Sequence, residues 1–359
     1  MNKHPNALLI LEDGTTFPAF SFGYDASVSG ELVFNTGMVG YVEALTDPSY
    51  YGQLLISTYP QVGNYGVPAA DDPDFLSRYE SARIQARAFI INAYSPTFDH
   101  WSAGSSLGDW LKKEKTVGLY GLDTRALTRH LRDKGAMLAK IIIHDEDVPF
   151  YDPNATFLLP EVSVRVPCYY GNGAARIALL DCGCKNSIVA YLTTPQTRVT
   201  RLPYNTPVDT NAYDGFVISS GPGDPARYTE LLPVVREMMA SGKPLLGICL
   251  GHQLMATAAG ARTFKLPFGH RGQNQPVRLS RENRCYVTSQ NHGYAVDPDT
   301  LSDDWQPWFI NLNDQTNEGI MHASGQMFSV QFHPEAAPGP HDTRFLFDHF
   351  IKKVVAQDA

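Results

Sequence analysis

Apolar residues in the second half of the chain form short runs separated by amphipathic segments. Strand-like runs occur at 176–181, 197–204, 214–220 and 244–249, and helical patterns at 187–192, 229–241 and 250–260. Apolar strands that alternate with helices predict an α/β fold, with a mostly parallel sheet flanked by helices. Because ligands in such folds bind at the carboxyl ends of the strands, reactive side chains are expected there.

The first half shows a different pattern, in which short apolar runs are separated by turns from Ala7 to about His144. Helical patterns occur at Ser105–Lys115 and Thr124–Lys134, so this half predicts a mixed α/β domain rich in strands. The first apolar run, Ala7–Leu11, is too short for a signal peptide core or a membrane span. We expect it to be an edge strand of a protein that does not enter the membrane.

A proline-rich segment separates the two patterns and ends in Gly-Asn-Gly at 171–173. This composition resists regular structure and suits a linker. Since 359 residues exceed the usual size of a single core, we predict an N-terminal domain at 1–150, a linker at 151–174 and a C-terminal domain at 175–359.

Charge and cysteine content narrow the possible functions. A net charge of −8 argues against a general nucleic-acid binder, which needs a basic face. The five cysteines form an odd set in a chain without an evident export signal, so we expect free thiols and a cytoplasmic location.

One of these cysteines has the setting of a nucleophile. Gly247, Cys249 and Gly251 reproduce the G-x-nucleophile-x-G spacing between an apolar strand and a helix. Glycines on both sides permit a sharp turn, and a helix N-terminus favours thiolate over thiol. Most free cysteines are small buried hydrophobes, but the elbow spacing favours a catalytic role here.

A base for this thiol is predicted in MFSVQFHPE, where the strand Phe328–Phe332 leads into His333 and Glu335. A catalytic thiol needs a base, and the base needs a carboxylate to fix its tautomer. A histidine after a strand is often structural, so this motif depends on the neighbouring ones.

The third motif is VISSGPGDP, which follows another predicted strand. Pro222 has no N–H, so the backbone donors available are Gly221 and Gly223, together with Leu250 after the nucleophile. These three amides could form an oxyanion hole. Taken alone, GPGDP favours a plain turn before a helix.

Together, GICLGHQ, FHPE and SSGPGDP resemble the signature of class I, triad-type glutamine amidotransferases. Segments in the first half, FNTGMVGYVEALTDPSYYGQ, YPQVGNYG and GLDTRALTRHLRDKGAM, resemble the small-subunit family of carbamoyl phosphate synthases, as does TSQNHGYAVD in the second half. The resemblance covers nearly the whole chain.

The resemblance implies a role for each matching residue. The catalytic triad would be Cys249, His333 and Glu335. L-Glutamine would be held by Ser49, Gly221, Gly223, Leu250, Gln253, Asn291, Gly293 and Tyr294. His252 and His292 would be supporting groups. Ser49 also has an ordinary interpretation, as a turn serine after Asp47-Pro48.

The resemblance also implies a partner. The chain has no G-x-x-x-x-G-K-[ST] loop for ATP, so ATP and Mg would be bound by a large synthetase subunit that receives the ammonia. We expect no cofactor and no metal in this chain, and a heterodimer that docks through the N-terminal domain. The product would serve arginine synthesis, pyrimidine synthesis or both.

Two features depart from the family pattern as we expect it: Ser220 stands where asparagine is frequent, and Cys182 and Cys184 replace other small or apolar residues. Zinc sites need four ligands, and this pair is isolated in sequence. Other functions considered are an amidotransferase subunit of a different synthetase, a non-catalytic scaffold subunit, and a cysteine protease or other thiol hydrolase of similar architecture.

Overall fold

The computed structural model describes residues 4–69, 78–282 and 284–357. The chain divides into two compact units, Met1–Thr156 and Phe157–Ala359, here called the N-terminal and C-terminal units.

The N-terminal unit contains a closed barrel with strand order β1-β11-β3-β4-β7-β10-β2, and its other strands form two two-stranded sheets, β5-β8 and β6-β9. Its strands are β1 Ala7–Leu11, β2 Thr16–Ser21, β3 Val28–Asn35, β4 Gln53–Ser57, β5 Gln61–Val62, β6 Val67–Pro68, β7 Ala88–Ile90, β8 Ala93–Tyr94, β9 Ala103–Ser105, β10 Val117–Tyr120 and β11 Met137–Ile143. Among the described residues of this unit, the α-helices with assigned bounds are α1 Tyr41–Thr46, α2 Leu107–Lys113 and α3 Thr124–Lys134.

The barrel corrects one prediction in this unit. Strand β1 pairs with β11 on one side and with β2 on the other, so it is not an edge strand. Closure of a sheet into a barrel removes its edges, and this closure depends on a pairing 130 residues away that a local pattern does not reveal. The expected strand-rich α/β character is confirmed.

The C-terminal unit contains a ten-stranded sheet with order β12-β14-β13-β15-β16-β21-β20-β18-β17-β19. The strands are β12 Cys168–Tyr170, β13 Ala175–Asp181, β14 Thr197–Pro203, β15 Gly215–Ile218, β16 Leu245–Ile248, β17 Thr263–Leu279, β18 Cys285–Val296, β19 Trp305–Asn311, β20 Asn317–His322 and β21 Met327–Val330. The helices are α4 Leu159–Val162, α5 Asn186–Leu192, α6 Leu232–Ala240, α7 Leu250–Ala258 and α8 Phe345–Val355.

The five strands β14, β13, β15, β16 and β21 run parallel, as the alternating pattern predicted. Their buried side chains alternate between two cores. One core packs on α6 and α7, and the other on α5 and α8. The parallel half is therefore covered by helices on both faces, which confirms the α/β class. Strands β17 to β20 add an antiparallel extension that the pattern did not predict.

The segment 151–174, expected to be a linker, is built into the two units instead. Pro153 begins a 3-10 turn in the N-terminal unit, and Pro160 lies in the first turn of α4. Strand β12 pairs with β14. Prolines are tolerated in the first turn of a helix, which explains how this composition accommodates regular structure.

Two further features bear on the sequence analysis. All five cysteines are free thiols. Within the ranges described above, no helix combines the length and the apolar character that crossing a lipid bilayer would require.

Candidate active site

Cys249 occupies a sharp turn between β16 and α7 in the C-terminal unit. Its backbone has φ 53° and ψ −102°, a conformation that residues with a side chain rarely adopt. The amide of Cys249 donates a hydrogen bond to the Val330 carbonyl at 2.8 Å, which ties the turn to the end of β21. Strained backbone of this kind is typical of a nucleophile elbow.

The glycines on either side of Cys249 are required by close packing. A Cβ atom on Gly247 would lie 2.6 Å from Met255 Sδ, and one on Gly251 would overlap the carbonyl of Ile218. The Gly251 amide donates to the Ser219 carbonyl at 3.1 Å. Helix α7 can therefore pack directly on the ends of β15 and β16 only because both positions lack side chains.

His333 follows β21, which ends at Val330, two residues earlier than predicted. The His333 amide donates to the Ser289 carbonyl at 2.9 Å, so pairing with β18 fixes its position beyond the strand end. Nδ1 of His333 is 2.5 Å from Oε1 of Glu335. A carboxylate on Nδ1 orients the ring and leaves Nε2 for proton transfer.

A buried lysine completes this group. Lys185 Nζ is 3.0 Å from Glu335 Oε1 and donates to the Ala337 carbonyl at 2.9 Å. No sequence motif identified Lys185, which lies at the start of α5 and about 150 residues before its partner. It was missed because only the tertiary fold brings the two residues together.

Charge interactions control the protonation of the pair. Burial lowers the pKa of His333, but the Glu335 carboxylate and the adjacent Cys249 side chain outweigh it and raise the value to about 10. Burial raises the pKa of Glu335, but Lys185 and His333 outweigh it and lower the value to about 2. The ring is therefore charged at neutral pH. Its Nε2 is buried and has no hydrogen bond of normal geometry among the described residues.

The amides expected to form the oxyanion hole are available. Among the residues that the structure describes, no group accepts a hydrogen bond from the amides of Gly221, Gly223 or Leu250. A side chain on Gly221 would overlap the carbonyl of Cys182. Tyr228 Oη donates to the Pro222 carbonyl at 2.9 Å and so fixes the loop 221–223.

Five of the predicted pocket residues, Leu250 among them, lie on α7 and β18. Gln253 Nε2 donates to the carbonyl of Tyr294 and to Oε1 of Gln331, each at 3.0 Å. The Cys249 thiol is 3.7 Å from the carbonyl of Asn291, and Gly293 lies between Asn291 and Tyr294 on β18. The structure thus brings the nucleophile, Gln253 and the Asn291–Tyr294 segment together.

Ser49 belongs to the N-terminal unit and is described there by itself. It lies in the 3-10 turn Pro48–Tyr50, and its amide donates to Asp47 Oδ1 at 2.9 Å. The interpretation as a turn serine therefore describes its backbone. Its Oγ is buried and has no hydrogen-bond partner among the described residues. An unsatisfied buried hydroxyl is costly and is the kind of group that a ligand can satisfy.

Three other residues from the sequence analysis, His252, Ser220 and Cys182, have contacts that support the fold rather than the reaction. His252 Nδ1 lies 2.9 Å from Ser329 Oγ, and burial lowers the pKa of His252 to about 3, so the ring is neutral. Ser219 Oγ donates to the carbonyl of Ser220 at 2.9 Å. Burial raises the pKa of the Cys182 thiol well above its usual range, which makes this thiol inert.

Comparison with known proteins agrees with this architecture. The family model for "Glutamine amidotransferase class-I" matches residues 178–353, and the model for "Carbamoyl-phosphate synthase small chain, CPSase domain" matches residues 9–141. The two matches fall in the C-terminal and N-terminal units, respectively.

Curated relatives match nearly the full length of the chain. An arginine-specific carbamoyl phosphate synthase small chain of Schizosaccharomyces pombe is 45% identical, over 97% of this chain and 87% of that protein. The mitochondrial carbamoyl-phosphate synthases [ammonia] of Homo sapiens and Aquarana catesbeiana are 46% and 45% identical over 98% of this chain. The chain spans only 24% of each of these two longer proteins. By its matches in both units, the chain belongs to the family of carbamoyl-phosphate synthase small chains.

Proposed function

We propose that this chain is the glutamine-hydrolysing subunit of a carbamoyl phosphate synthase. Family membership alone does not assign this activity, because two relatives carry ammonia in their names. The observation that carries the proposal is the strained elbow of Cys249 in the same buried site as the His333–Glu335 pair. A subunit kept only as a scaffold would not need to retain this strain.

The chemistry follows from the groups of the site. The Cys249 sulfur, as thiolate, attacks the side-chain amide carbon of L-glutamine, and the charge on the former carbonyl oxygen is stabilised by the amides of Leu250 and Gly221 or Gly223. The C–N bond breaks as His333 gives its proton to the departing nitrogen. A γ-glutamyl thioester remains on Cys249. Water, deprotonated by His333, then attacks the thioester and releases glutamate and the thiolate.

Recognition of glutamine follows the same reasoning. A substrate with an ammonium, a carboxylate and an amide needs several hydrogen-bonding partners around a small pocket. The proposed partners in the C-terminal unit are backbone and side-chain groups of Gln253, Asn291, Gly293 and Tyr294. Ser49, whose buried Oγ is unsatisfied, stays a predicted glutamine contact on the basis of the family resemblance.

The ammonia is delivered to a large synthetase partner, which binds ATP and Mg and makes carbamoyl phosphate from bicarbonate. In this proposal the chain itself needs no cofactor or metal. The N-terminal unit supplies the docking surface. The loop between β3 and α1 supports this assignment, because Met38 and Val39 are 66% and 61% exposed. Neighbouring exposed apolar side chains are typical of a surface that a partner covers.

The docking surface is tested by Met38→Glu. A charge placed in an apolar contact weakens association, so we expect a lower affinity for the large subunit and unchanged basal glutaminase activity. Phe345→Glu, an exposed apolar residue of the C-terminal unit, is the matched control. Equal affinity for Met38→Glu and wild type in analytical ultracentrifugation would remove this loop from the docking surface.

Pathway and location are part of the proposal. The S. pombe relative is named as arginine-specific, which supports a role in arginine synthesis. A role in pyrimidine synthesis stays a prediction. A cytoplasmic location also stays a prediction, since two relatives are named as mitochondrial. Cell fractionation with an antibody to the native chain tests it.

The central experiment compares wild type with Cys249→Ser, each with and without the large subunit, ATP and bicarbonate. We expect glutamate release to require Cys249 and to increase when the partner turns over. Cys285→Ser, an exposed free cysteine, is the matched control and retains full activity. Glutamine hydrolysis by Cys249→Ser at the wild-type rate would refute the nucleophile. Wild-type hydrolysis without carbamoyl phosphate would refute only the acceptor.

A further inference from the structure

A second buried histidine group lies beside the predicted glutamine pocket. His270 on β17 is the cross-strand partner of His292 on β18. The two rings meet edge to face, with centroids 4.9 Å apart and an interplanar angle of 81°. Neither the triad nor the oxyanion hole uses His270, so its burial next to the pocket strand needs another explanation.

His270 is held between two carboxylates. Its Nε2 is 2.8 Å from Asp314 Oδ2, and its Nδ1 is 3.2 Å from Glu318 Oε1. A neutral imidazole has one N–H, so the doubly protonated ring is the form in which both nitrogens donate to the two carboxylates. Burial lowers the pKa of His270, but the hydrogen bonds to Asp314 and Glu318 outweigh it and raise the value to about 9.

His292 is in the opposite state. Burial and the charges of His270 and Arg271 hold the pKa of His292 well below its usual range, so the ring is neutral. Its Nδ1 is 2.8 Å from the carbonyl of Tyr294, which can only accept, so Nδ1 carries the proton. Its Nε2 is 3.2 Å from Gln290 Oε1; with Nε2 unprotonated, a hydrogen bond forms here when the Gln290 amide is turned to present its NH2 group. The His292 ring thus contacts both ends of the segment Gln290–Tyr294, and we call this pair of contacts the clamp.

The clamp is connected to the nucleophile. The Tyr294 carbonyl that accepts from His292 also accepts from Gln253 Nε2 at 3.0 Å. Gln253 reaches Gln331 Oε1 at 3.0 Å, and Gln331 Nε2 lies 3.7 Å from the Cys249 sulfur. A continuous path of contacts therefore runs from His270 to the reacting sulfur.

The same side chains also resemble a donor set for a divalent cation, since ligand atoms of His270, His292 and Glu318 lie within 4.8 Å of one another. A metal ligand must offer a deprotonated nitrogen, whereas both nitrogens of His270 face carboxylate oxygens. Glu318 Oε1 also accepts from Asn311 Nδ2 at 2.9 Å. The geometry favours an ion-paired histidine over a metal ligand.

We propose that His270, bonded to Asp314 and Glu318 and packed edge to face on the His292 ring, is a positioning residue that holds the segment Gln290–Tyr294 in its glutamine-binding form. The inference rests on the proposed glutaminase function. The charged and titratable groups that face His270 are Asp314, Glu318 on β20, His292 on β18 and the neighbouring Arg271.

Loss of the charge on His270 has two consequences. Glu318 loses its counter-ion, and His292 loses the positive neighbour that opposes its protonation. Both changes loosen the clamp at the pocket and leave the Cys249–His333 chemistry in place. A change of this kind raises KM and spares kcat.

The test measures steady-state glutamate release by wild type, His270→Gln and Asp314→Asn. We expect KM for glutamine to rise about tenfold in His270→Gln, with kcat within about threefold of wild type. Asp314→Asn changes a partly exposed side chain and should fold normally, with a smaller rise in KM. Asp303→Asn, an exposed carboxylate on the loop before β19, should leave KM unchanged.

A pH series separates positioning from a general structural effect. The KM ratio of His270→Gln to wild type should be constant at neutral pH and fall towards one as the pH rises through about 9. The ratio is the readout because the amino group of glutamine itself titrates in the alkaline range. The rate of Cys249 alkylation by iodoacetamide should be the same in both proteins.

The outcomes distinguish this inference from the proposed function. If wild type neither hydrolyses glutamine nor is protected by glutamine from iodoacetamide, both fall together. If wild type is active and His270→Gln and Asp314→Asn keep its KM, only the positioning role is overturned. A fall in kcat at unchanged KM, or a KM ratio independent of pH, would also overturn it.

Discussion

Two buried histidines of the C-terminal unit, His333 and His270, are each bonded to a carboxylate, yet they differ in their second ring nitrogen. Nε2 of His333 has no hydrogen bond of normal geometry in the described residues and lies beside Cys249. Nε2 of His270 is bonded to Asp314. A histidine–carboxylate pair can thus transfer a proton to a reacting atom at His333, whereas at His270 both ring nitrogens are occupied.

The difference shows that a raised pKa does not identify a catalytic histidine. Carboxylates raise the pKa of both rings, to about 10 for His333 and to about 9 for His270. What distinguishes them is access of one nitrogen to a nucleophile. We therefore expect removal of His333 to affect kcat, whereas removal of His270 affects binding.

The largest expected effect is that of His333→Asn. Loss of the proton carrier should lower kcat for glutamine hydrolysis about a thousandfold, within the range that general acid–base catalysis contributes. His270→Asn is the matched substitution and should keep kcat within a few fold. Stopped assays of glutamate release measure both. Similar losses of kcat in the two variants would contradict the comparison.

Lys185→Met tests whether Lys185 stabilises the buried His333–Glu335 pair. Removal of one partner from a buried ion pair leaves Glu335 less compensated and should lower the free energy of unfolding by about 3 kcal/mol. Lys140→Met removes a pair whose Asp147 partner is 72% exposed, so it should lower the free energy of unfolding clearly less than Lys185→Met. Urea denaturation compares them, and equal costs would show that Lys185 does not stabilise Glu335.

The charge on His270, which lies between Asp314 and Glu318, predicts that the free energy of unfolding depends on pH. A pKa raised in the folded state stabilises the protein fully below the ordinary value of 6.5, and this stabilisation is lost as the pH rises through about 9. Wild type should therefore lose on the order of 2 kcal/mol more than His270→Gln/Glu318→Gln between pH 6.5 and 9.5. Parallel curves for the two proteins in urea denaturation would argue against a charged His270.

Glu335→Gln should have the smallest effect of the four. Without the carboxylate, the pKa of His333 falls towards its ordinary range and the ring is less firmly oriented. We expect kcat to fall about tenfold, because proton transfer through Nε2 remains possible. Glu318→Gln serves as the control and should change KM rather than kcat. If Glu335→Gln changed KM and Glu318→Gln changed kcat, the roles assigned to His333 and His270 would be exchanged.

Much of the fold was predictable from local pattern. The parallel strands were predicted because they are apolar on both faces, and α3 because its apolar residues recur on one face. The closed barrel and the antiparallel extension were not. Pairings such as Ala7 with Ile143 join residues far apart in sequence, and no local signal encodes them.

The candidate site was predictable where chemistry is concentrated in short motifs. Cys249, His333 and Glu335 each lie in a run whose spacing reflects a local requirement, such as glycine beside the elbow. Lys185 and His270 were missed, because their functions come from contacts across strands and loops. A lysine at a helix start and a histidine in a strand have many ordinary uses.

The closed barrel also has a consequence for modularity. Because β1 and β11 are adjacent, with Ala7 opposite Ile143, the chain enters and leaves the N-terminal barrel at one place. A unit with neighbouring ends can be joined to another polypeptide without interrupting any strand. The barrel is therefore suited to exchange, fusion or insertion as a single piece, whatever the length of the protein that carries it.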